Sequence, residues 1–248
     1  MTTSDHKILL LGHKGMLGHM VKKYLDQFYE IEVLNHRWPS KEYKNAIKQT
    51  DSNILINCIG AIPQRTEDFK INFELPMWLD DNFNGNIIHP GTDCESDDDD
   101  YGSSKRTAAD WIIESGKKTK MLKTSIIGPE LNSSSSFLFW FLSNEDDSSV
   151  NGYVNHMWNG ITTYYWAKFS KNLIESWDDY SKRTVLGSDC VSKYDMCNIF
   201  NKAYDRKIIV NKFETSAKND KCLSLDVKLD SIDVQLSEMI KFLKVTTR

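Results

Sequence analysis

Short apolar runs alternate with longer amphipathic stretches along the first half of the chain. The runs are rich in Ile, Leu and Val, as expected of strands that are buried on both faces of a sheet. The predicted strands are Lys7–Leu11, Ile31–Leu34, Asn53–Asn57, Asn86–His89 and Met121–Ser125. The predicted helices between them are Met16–Gln27, Lys41–Gln49, Phe69–Asp81 and Tyr101–Glu114. This alternation predicts an α/β fold in which crossover helices cover a doubly wound, Rossmann-like parallel sheet.

The pattern becomes less regular after Gly128. Polar, Ser-rich stretches at 131–136 and 143–149 are typical of loops, and they surround a short apolar helix at Phe137–Leu142. The remaining predicted elements are helices at Ile161–Trp177, Val191–Ala203 and Ile232–Leu243, and a strand at Arg206–Val210. We therefore expect a regular core over residues 1–130 and a smaller lobe over residues 131–248, packed together as one unit.

The charge balance excludes some classes of partner. The chain has 31 basic and 35 acidic side chains, which argues against a protein that binds the phosphate backbone of nucleic acids. Its longest apolar run is the six residues of Phe137–Leu142, far too short to span a membrane. The polar segment Met1–Lys7 lacks the apolar core of a secretory signal. We expect a cytoplasmic protein that has neither nucleic acids nor membranes as partners.

The cysteines and histidines show no spacing that is typical of a metal site. The five cysteines are Cys58, Cys94, Cys190, Cys197 and Cys222, an odd number without a C-x-x-C pair. This pattern predicts buried free thiols rather than a disulfide framework or a structural zinc site. The histidines considered as ligands, and interpreted instead as surface or structural residues, are His13, His19, His36, His89 and His156. No metal is predicted.

A glycine-rich turn joins the first predicted strand to the first predicted helix. The segment Gly12–Gly18 has the form G-x-x-G-x-x-G. In such a turn the first glycine permits a tight bend, the second lets backbone N–H groups approach a pyrophosphate, and the third allows close packing of the helix. The N-terminus of the helix adds positive potential for the anion. The context favours a dinucleotide site over a glycine turn without a ligand.

The second predicted strand ends in Leu34-Asn35-His36-Arg37. A carboxylate at this position would hold the ribose 2′-hydroxyl of NAD, and none is present. Arg37 can instead pair with the 2′-phosphate of NADP, so the sequence favours NADP, with NAD as the alternative. The competing interpretation of Arg37 is an ordinary surface arginine.

Tyr101 and Lys105 are four residues apart on a predicted helix, so their side chains lie on one face, one turn apart. A nearby ammonium favours the phenolate, and we therefore expect a lowered pKa for Tyr101 and proton exchange with a substrate oxygen. Thr92 follows the predicted strand Asn86–His89 and can hydrogen-bond the same oxygen. A cap of a helix or loop is the alternative role for Thr92.

The order of these motifs resembles that of the extended short-chain dehydrogenase/reductases, and within them the dTDP-4-dehydrorhamnose reductase branch. The segments that carry the resemblance are Gly12–Gly18, Asn57-Cys58-Ile59-Gly60, Thr92-Asp93 and Tyr101-x-x-x-Lys105. Further matches are Asn72, Glu74-Leu75-Pro76, Thr124-Ser125 and Trp158-Asn159-Gly160-Ile161-Thr162-Thr163. Together they span most of the chain.

The resemblance implies hydride transfer from a nicotinamide cofactor to the C4 keto group of a nucleotide-linked 6-deoxyhexose. Tyr101 would protonate the forming alkoxide, Lys105 would tune Tyr101 and hold the nicotinamide ribose, and Thr92 would orient the carbonyl. The implied cofactor-binding residues are Gly12, Gly15, Met16, Leu17, Gly18, Arg37, Asn57, Cys58, Ile59, Gly60 and Lys105. The implied substrate-binding residues are Thr92, Tyr101, Trp158 and Asn159. Residues 1–130 would then bind the dinucleotide and residues 131–248 the substrate, with a homodimer left open.

One segment departs from the family pattern. Only the eight residues Asp93–Asp100 separate Thr92 from Tyr101, whereas family members have a longer loop that borders the sugar site. We expect this acidic run to be a solvated loop that caps the next helix, in preference to a metal site. The departure leaves two alternatives to the reductase. The first is an epimerase or epimerase–reductase, and the second is a non-catalytic NADP-binding subunit similar to the regulatory subunit of methionine adenosyltransferase.

Overall fold

The computed structural model describes residues 6–131 and 136–246, so residues 132–135 of the Ser-rich stretch lie outside the described part. The strands are β1 (Lys7–Leu11), β2 (Glu30–Val33), β3 (Ile54–Asn57), β4 (Asn86–Gly91), β5 (Thr119–Lys123), β6 (Ile126–Ile127), β7 (Ser149–Tyr153), β8 (His156–Trp158), β9 (Ile161–Thr162), β10 (Arg183–Gly187), β11 (Val191–Ser192), β12 (Ile209–Phe213), β13 (Asn219–Lys221) and β14 (Val227–Lys228).

The helices are α1 (Met16–Leu25), α2 (Lys41–Gln49), α3 (Ile71–Asn82), α4 (Asp100–Glu114), α5 (Phe137–Leu142), α6 (Thr163–Glu175), α7 (Lys193–Tyr204) and α8 (Ile232–Thr246). Short 3-10 helices cover Asp93–Ser96 and Trp177–Asp179. Among the residues described, none of these helices has both the length and the apolar character that a bilayer crossing requires.

The central sheet has seven strands in the order β14-β10-β5-β4-β3-β1-β2. β1 pairs in parallel with both β2 and β3, and the parallel pairing continues through β4 to β5. The strand order reverses at β1, because β2 lies on one side of it and β3 on the other. The predicted α/β fold with a Rossmann-like parallel sheet is confirmed.

The core of this sheet is apolar on both faces. Ile8 and Leu10 of β1 are fully buried, and so are Leu9 and Leu11, whose side chains point to the opposite face. Leu9 and Leu11 pack in one cluster with residues of α2, α3 and the neighbouring strands, namely Tyr43, Ile47, Leu55, Leu75, Leu79, Phe83 and Ile87. Each fully buried aliphatic side chain contributes roughly 1.5–3 kcal/mol through removal from water. This burial explains why continuous apolar runs predict these strands well.

The chain divides into two compact units. The first comprises Met1–Lys123 and Ala167–Thr184, and the second Thr124–Trp166 and Val185–Arg248. The segment 167–184, which sequence analysis assigned to the smaller lobe, therefore belongs to the first unit. The second unit contains small sheets with the orders β11-β8-β13, β12-β7 and β6-β9. Most of these short strands were not predicted from the sequence.

Cys190 and Cys222 form a disulfide in the second unit, with their Cα atoms 5.9 Å apart. The prediction of free thiols is wrong for this pair, because a separation of 32 residues gives no local pattern that would reveal the bond. Cys58, Cys94 and Cys197 take no part in a disulfide, as predicted, although only Cys197 is fully buried.

Candidate active site

The glycine turn after β1 contacts the chain at the end of β3, where the strand order reverses. Gly12 has φ = +76°, in the left-handed region that favours glycine. A Cβ atom at Gly12 would lie 2.7 Å from the carbonyl carbon and oxygen of Cys58. Open α/β sheets bind ligands at such a reversal, beyond the carboxyl ends of the strands. The geometry thus brings the predicted phosphate loop and the segment after β3 together at the position where this fold binds ligands.

The first turn of α1 presents backbone amides without a side-chain cap. Gly15 is the N-cap and has no side chain that could accept a hydrogen bond from the amides that follow, which begin at Met16 and Leu17. A Cβ at Gly18 would lie 2.2 Å from the Gly12 carbonyl oxygen, so this glycine packs against the turn rather than the sheet. Uncapped amides at the positive end of a helix fit a phosphate or pyrophosphate group.

Asn57 organises the segment Asn57–Ala61, which we name the β3 strip. Its buried carboxamide accepts a hydrogen bond from the Ile59 amide at 3.0 Å and donates one to Nδ1 of His89 at 3.2 Å. Burial, and to a lesser extent the charge of Lys105, hold the pKa of His89 well below its usual range. His89 is therefore neutral and can accept this hydrogen bond, as its interpretation as a structural residue requires.

Asn72 of α3 connects the β3 strip to α4. Its side chain accepts from the Ala61 amide at 2.8 Å, donates to the Ala61 carbonyl at 3.1 Å, and donates to Oγ of Ser104 at 3.0 Å. The Ser104 hydroxyl in turn donates to the Tyr101 carbonyl at 2.7 Å. The sequence marks Asn72 only as a family match, because the bonds that give it this role join segments far apart in the chain.

The acidic side chain nearest in sequence to the end of β2 is already engaged in hydrogen bonds. Glu32, the acidic residue nearest to that end, accepts hydrogen bonds from Thr50 at 2.8 Å and Ser52 at 3.3 Å. Arg37, a few residues further on, is exposed to solvent. Arg37 can therefore contact an anionic group of a ligand that binds at the end of β2.

Thr92, Tyr101 and Lys105 come together between β4 and α4. Tyr101 hydrogen-bonds to Thr92, and its ring packs against Phe69 with 5.6 Å between the ring centroids. Lys105 is buried, and its Nζ donates to the Pro90 carbonyl at 3.1 Å. The three residues that the sequence predicts as a proton-transfer site are thus neighbours in the first unit.

The pKa of Tyr101 differs from the prediction. Burial is the main cause that raises the pKa of Tyr101 to about 12, with smaller contributions from Cys94, Asp93 and Asp99, and the hydrogen bond to Thr92 offsets them only in part. Burial lowers the pKa of Lys105 to about 8, although Glu95 and Cys94 act in the opposite direction. The expected lowering of the Tyr101 pKa by Lys105 is therefore wrong, because loss of hydration dominates. Tyr101 is protonated at neutral pH.

The acidic run Asp93–Asp100 is largely ordered by contacts. Asp93 and Glu95 are buried, and Glu95 forms an ion pair of 2.8 Å with Lys123. Thr92 caps the 3-10 helix at Asp93–Ser96, because its hydroxyl accepts from the Cys94 amide at 3.2 Å, and Glu95 in return accepts from the Thr92 amide at 3.0 Å. Arg106 donates to the carbonyls of Glu95 and Asp97. The prediction of a solvated loop is wrong for this first half.

The second half of the run caps α4 as predicted. The side chain of Asp99 accepts from the Gly102 amide at 2.6 Å. A Cβ at Gly102 would lie 2.5 Å from the Cys94 carbonyl oxygen and 2.7 Å from that of Asp97. The shortened loop therefore packs directly on the helix that carries Tyr101, and Gly102 makes this approach possible.

Trp158 and Asn159 lie in the second unit, at the end of β8. Trp158 is half-buried. The carboxamide of Asn159 donates to the Leu223 carbonyl and accepts from the Leu223 amide, each at 2.9 Å. Because both ends of this side chain are engaged, its observed contacts hold the backbone of a neighbouring segment. Its predicted contact with substrate stays a prediction, as does that of Trp158.

None of the protein-family models and none of the curated proteins match this chain. The fold is similar to that of dTDP-4-dehydrorhamnose reductase from Bacillus anthracis in complex with NADP, at 12% identity and a TM-score of 0.74, covering 96% of this chain and 99% of that chain. A dTDP-4-dehydrorhamnose reductase ortholog from Clostridium acetobutylicum has 15% identity, a TM-score of 0.72 and the same coverage. UDP-N-acetylglucosamine 4-epimerase from Bacillus cereus has 15% identity and a TM-score of 0.66, covering 97% of both chains. At these identities the comparisons establish the fold.

Proposed function

We propose that this protein reduces the C4 keto group of a nucleotide-linked 6-deoxyhexose with NADPH as the hydride donor. The observation that carries the proposal is the arrangement of Thr92, Tyr101 and Lys105 between β4 and α4, in a sheet whose first strand leads into a glycine turn that fits a pyrophosphate. Structures of similar fold include dTDP-4-dehydrorhamnose reductases, one of them in complex with NADP, which supports the same class of reaction. Cytoplasmic location and the absence of nucleic-acid or membrane partners stay predictions from the sequence.

Tyr101 acts as the general acid in this proposal. When bound, the nicotinamide supplies the hydride that reduces the carbonyl carbon. The carbonyl oxygen then gains charge, and the Tyr101 hydroxyl donates its proton to that oxygen. A phenol whose pKa is raised to about 12 is fully protonated at neutral pH, which is the form this step consumes.

Lys105 and Thr92 support the proton transfer. After Tyr101 has lost its proton, the phenolate needs a cation, and Lys105 lies one helical turn away. Its pKa of about 8 lets the buried amine exchange protons near neutral pH. The Thr92 hydroxyl already hydrogen-bonds Tyr101, so it can orient the phenol and the substrate oxygen together.

We further propose that NADP is preferred over NAD. Arg37 would pair with the 2′-phosphate, the amides at the start of α1 would hold the pyrophosphate, and the β3 strip would lie along the cofactor. The engagement of Glu32 with Thr50 and Ser52 supports this choice, because it removes the acidic group that a ribose 2′-hydroxyl would need.

A non-catalytic NADP-binding subunit is the second candidate. The observation in its favour is the short loop packed on Gly102, which holds Thr92 in a capping role next to Tyr101. An epimerase of the same family is a further alternative, since UDP-N-acetylglucosamine 4-epimerase has a similar fold. Oxidised cofactor that stays bound through purification would favour the epimerase, because epimerisation regenerates its cofactor in each turnover.

Replacement of Tyr101 by phenylalanine tests the catalytic proposal. NADPH oxidation is first measured against a panel of dTDP- and UDP-4-keto-6-deoxyhexoses. In Tyr101→Phe we expect turnover to fall by about 10²–10⁴-fold, the usual contribution of a general acid, while NADPH affinity is unchanged. Tyr43→Phe is the matched control, because the Tyr43 hydroxyl is buried without a hydrogen-bond partner among the described residues. It should keep the parent's activity.

Two results would count against this proposal. Full activity in Tyr101→Phe would exclude Tyr101 as the proton donor. Tight NADPH binding without turnover of any sugar in the panel would favour the non-catalytic subunit.

A further inference from the structure

The end of β8 lies between two other strands of the second unit. In the sheet with the order β11-β8-β13, Trp158 pairs with Val191 on one side and with Lys221 on the other. Cys190 immediately precedes Val191, and Cys222 immediately follows Lys221. The disulfide therefore joins the two outer strands just beyond the end of the middle one.

Hydrogen bonds place Asn159 between the same two segments. Its side chain donates a hydrogen bond to the carbonyl of Leu223 and accepts one from the amide of the same residue, which follows Cys222. Its carbonyl accepts from the Ser188 amide at 2.8 Å, on the Cys190 side. The covalent bond and these hydrogen bonds together enclose the backbone at Trp158 and Asn159.

The position of the Trp158 indole depends on this enclosure. A Cβ atom at Gly160 would lie 2.3 Å from Cζ2 of Trp158, so the ring packs directly on the backbone that follows Asn159. If the two outer strands separate, both the pairing partners of Trp158 and the backbone beneath its ring lose their support. The indole then has to be ordered again whenever a ligand binds.

We propose that Cys190 and Cys222 are positioning residues for Trp158, and that reduction of their disulfide weakens binding of the nucleotide sugar without weakening binding of NADPH. The inference rests on the proposed function and on the predicted contact of Trp158 with the sugar nucleotide. NADPH is spared because its proposed binding residues are in the first unit, and their described hydrogen bonds do not include either cysteine.

A small dithiol is a sufficient reductant for this change. Cys190 is exposed, so a thiolate can attack one sulfur of the bond and form a mixed disulfide. The second thiol of the reagent then displaces the protein sulfur, which leaves two protein thiols and one oxidised reagent. A low-molecular-weight disulfide reverses the process by two exchanges and releases two thiols.

Thiol counting and kinetics together test the proposal. After mild oxidation and denaturation we expect three free thiols, and five after dithiol treatment. Reduction should raise the KM for the nucleotide sugar roughly fivefold, because an aromatic side chain must be ordered on binding. The KM for NADPH and kcat should stay unchanged, and reoxidation should restore the original KM.

Two variants separate the disulfide from other thiol effects. The double variant Cys190→Ser/Cys222→Ser should show the KM of the reduced parent and no response to dithiol. Cys197→Ala removes a thiol that takes no part in the bond, so it should respond as the parent does. Five thiols after oxidation, an equal sugar KM in both redox states, or an equal loss of NADPH binding would each overturn the proposal.

Hydrogen exchange distinguishes failure of this inference from failure of the proposed function. If no sugar nucleotide turns over, amide exchange in His156–Gly160 can still be compared between the oxidised and reduced protein. Faster exchange there after reduction, with unchanged exchange in the β3 strip, supports the positioning role. Equal exchange in both redox states overturns it, whatever the substrate.

Discussion

The ends of β3 and β8 are both proposed to contact ligands, but different forces hold them in place. Beyond β3, the carboxamides of Asn57 and Asn72 form hydrogen bonds with backbone and side-chain groups in a buried region. Beyond β8, Asn159 also forms such bonds, but an exposed disulfide closes the region around it. The first arrangement depends on exclusion of water, and the second also depends on the oxidation state of two sulfurs.

This difference means that the two regions respond to different conditions. Buried hydrogen bonds are costly to leave incomplete, so the first region is sensitive to substitutions and to the protonation of groups buried with it. The second region is sensitive to thiol reagents.

The largest effect should come from the cost of burying Lys105. Its pKa is lowered from 10.5 to about 8, because burial disfavours the charged form. Below pH 8 the lysine is charged in the folded and in the unfolded chain, and the burial cost lowers stability in full. Between about pH 8 and 10.5 the folded chain releases the proton while the unfolded chain keeps it. The free energy of unfolding should therefore rise with pH in this window, by roughly 3 kcal/mol in total.

Urea unfolding at a series of pH values gives the free energy of unfolding of the parent and of Lys105→Met. The effect is the difference between the two curves of this free energy against pH. Lys105→Met should be more stable than the parent at pH 7 and should lose the advantage as the pH approaches 10. Lys117→Met, at an exposed lysine of the same unit, should keep the parent's pH profile. A parent and a Lys105→Met variant with parallel profiles would show that Lys105 keeps an ordinary pKa.

The next effect should come from the removal of Asn72. Asn72→Ala deletes three hydrogen bonds and leaves the Ala61 amide and carbonyl without their partner. We expect a loss of about 2–3 kcal/mol in the free energy of unfolding, and weaker NADPH binding. Chemical denaturation and a fluorescence titration measure the two quantities.

Asn82→Ala is the matched control on the same helix. The Asn82 side chain donates to the Trp78 carbonyl of its own helix, so its loss should change stability slightly and NADPH affinity not at all. Equal effects of the two substitutions on stability and on NADPH affinity would show that the hydrogen bonds of Asn72 do not support NADPH binding.

The smallest effect should be a change in cofactor preference. Arg37→Ala should weaken NADPH binding about tenfold, because a charge-assisted hydrogen bond to a phosphate is lost, and should leave NADH binding unchanged. Titrations with both cofactors measure the discrimination. Lys117→Ala removes a surface cation elsewhere in the first unit and should alter neither affinity. Equal losses for both cofactors in Arg37→Ala would contradict the phosphate role.

The centre of the first unit could be predicted from the sequence because β1 and β3 are nearly continuous apolar runs buried on both faces. β1 and α2 have the predicted bounds, and β3 and α4 differ by one residue. β8 and β14 were missed because strands of two or three residues give no periodic signal. β10, with its mixed sequence Arg183–Gly187, was missed although it belongs to the central sheet.

The sequence predicted which residues of the candidate site lie together, but it did not predict their pKa values. The spacing of Tyr101 and Lys105 places them on one helical face, yet it contains no information about hydration or about the Pro90 carbonyl that binds Lys105. The contacts that bury Asp93 and Glu95 likewise join segments distant in the sequence. The disulfide had no local signal at all, since its two cysteines meet only when β8 is flanked by its neighbours.

The bond between Cys190 and Cys222 also determines how the chain behaves when a protease cuts it. The segment between the two cysteines contains α7 and β12, so a single cut within it opens a covalent ring and releases no fragment. The same cut in the reduced protein yields two separate polypeptides. An oxidised, nicked sample therefore runs as one band on a non-reducing gel and as two bands after reduction, whereas a reduced, nicked sample runs as two bands on both gels.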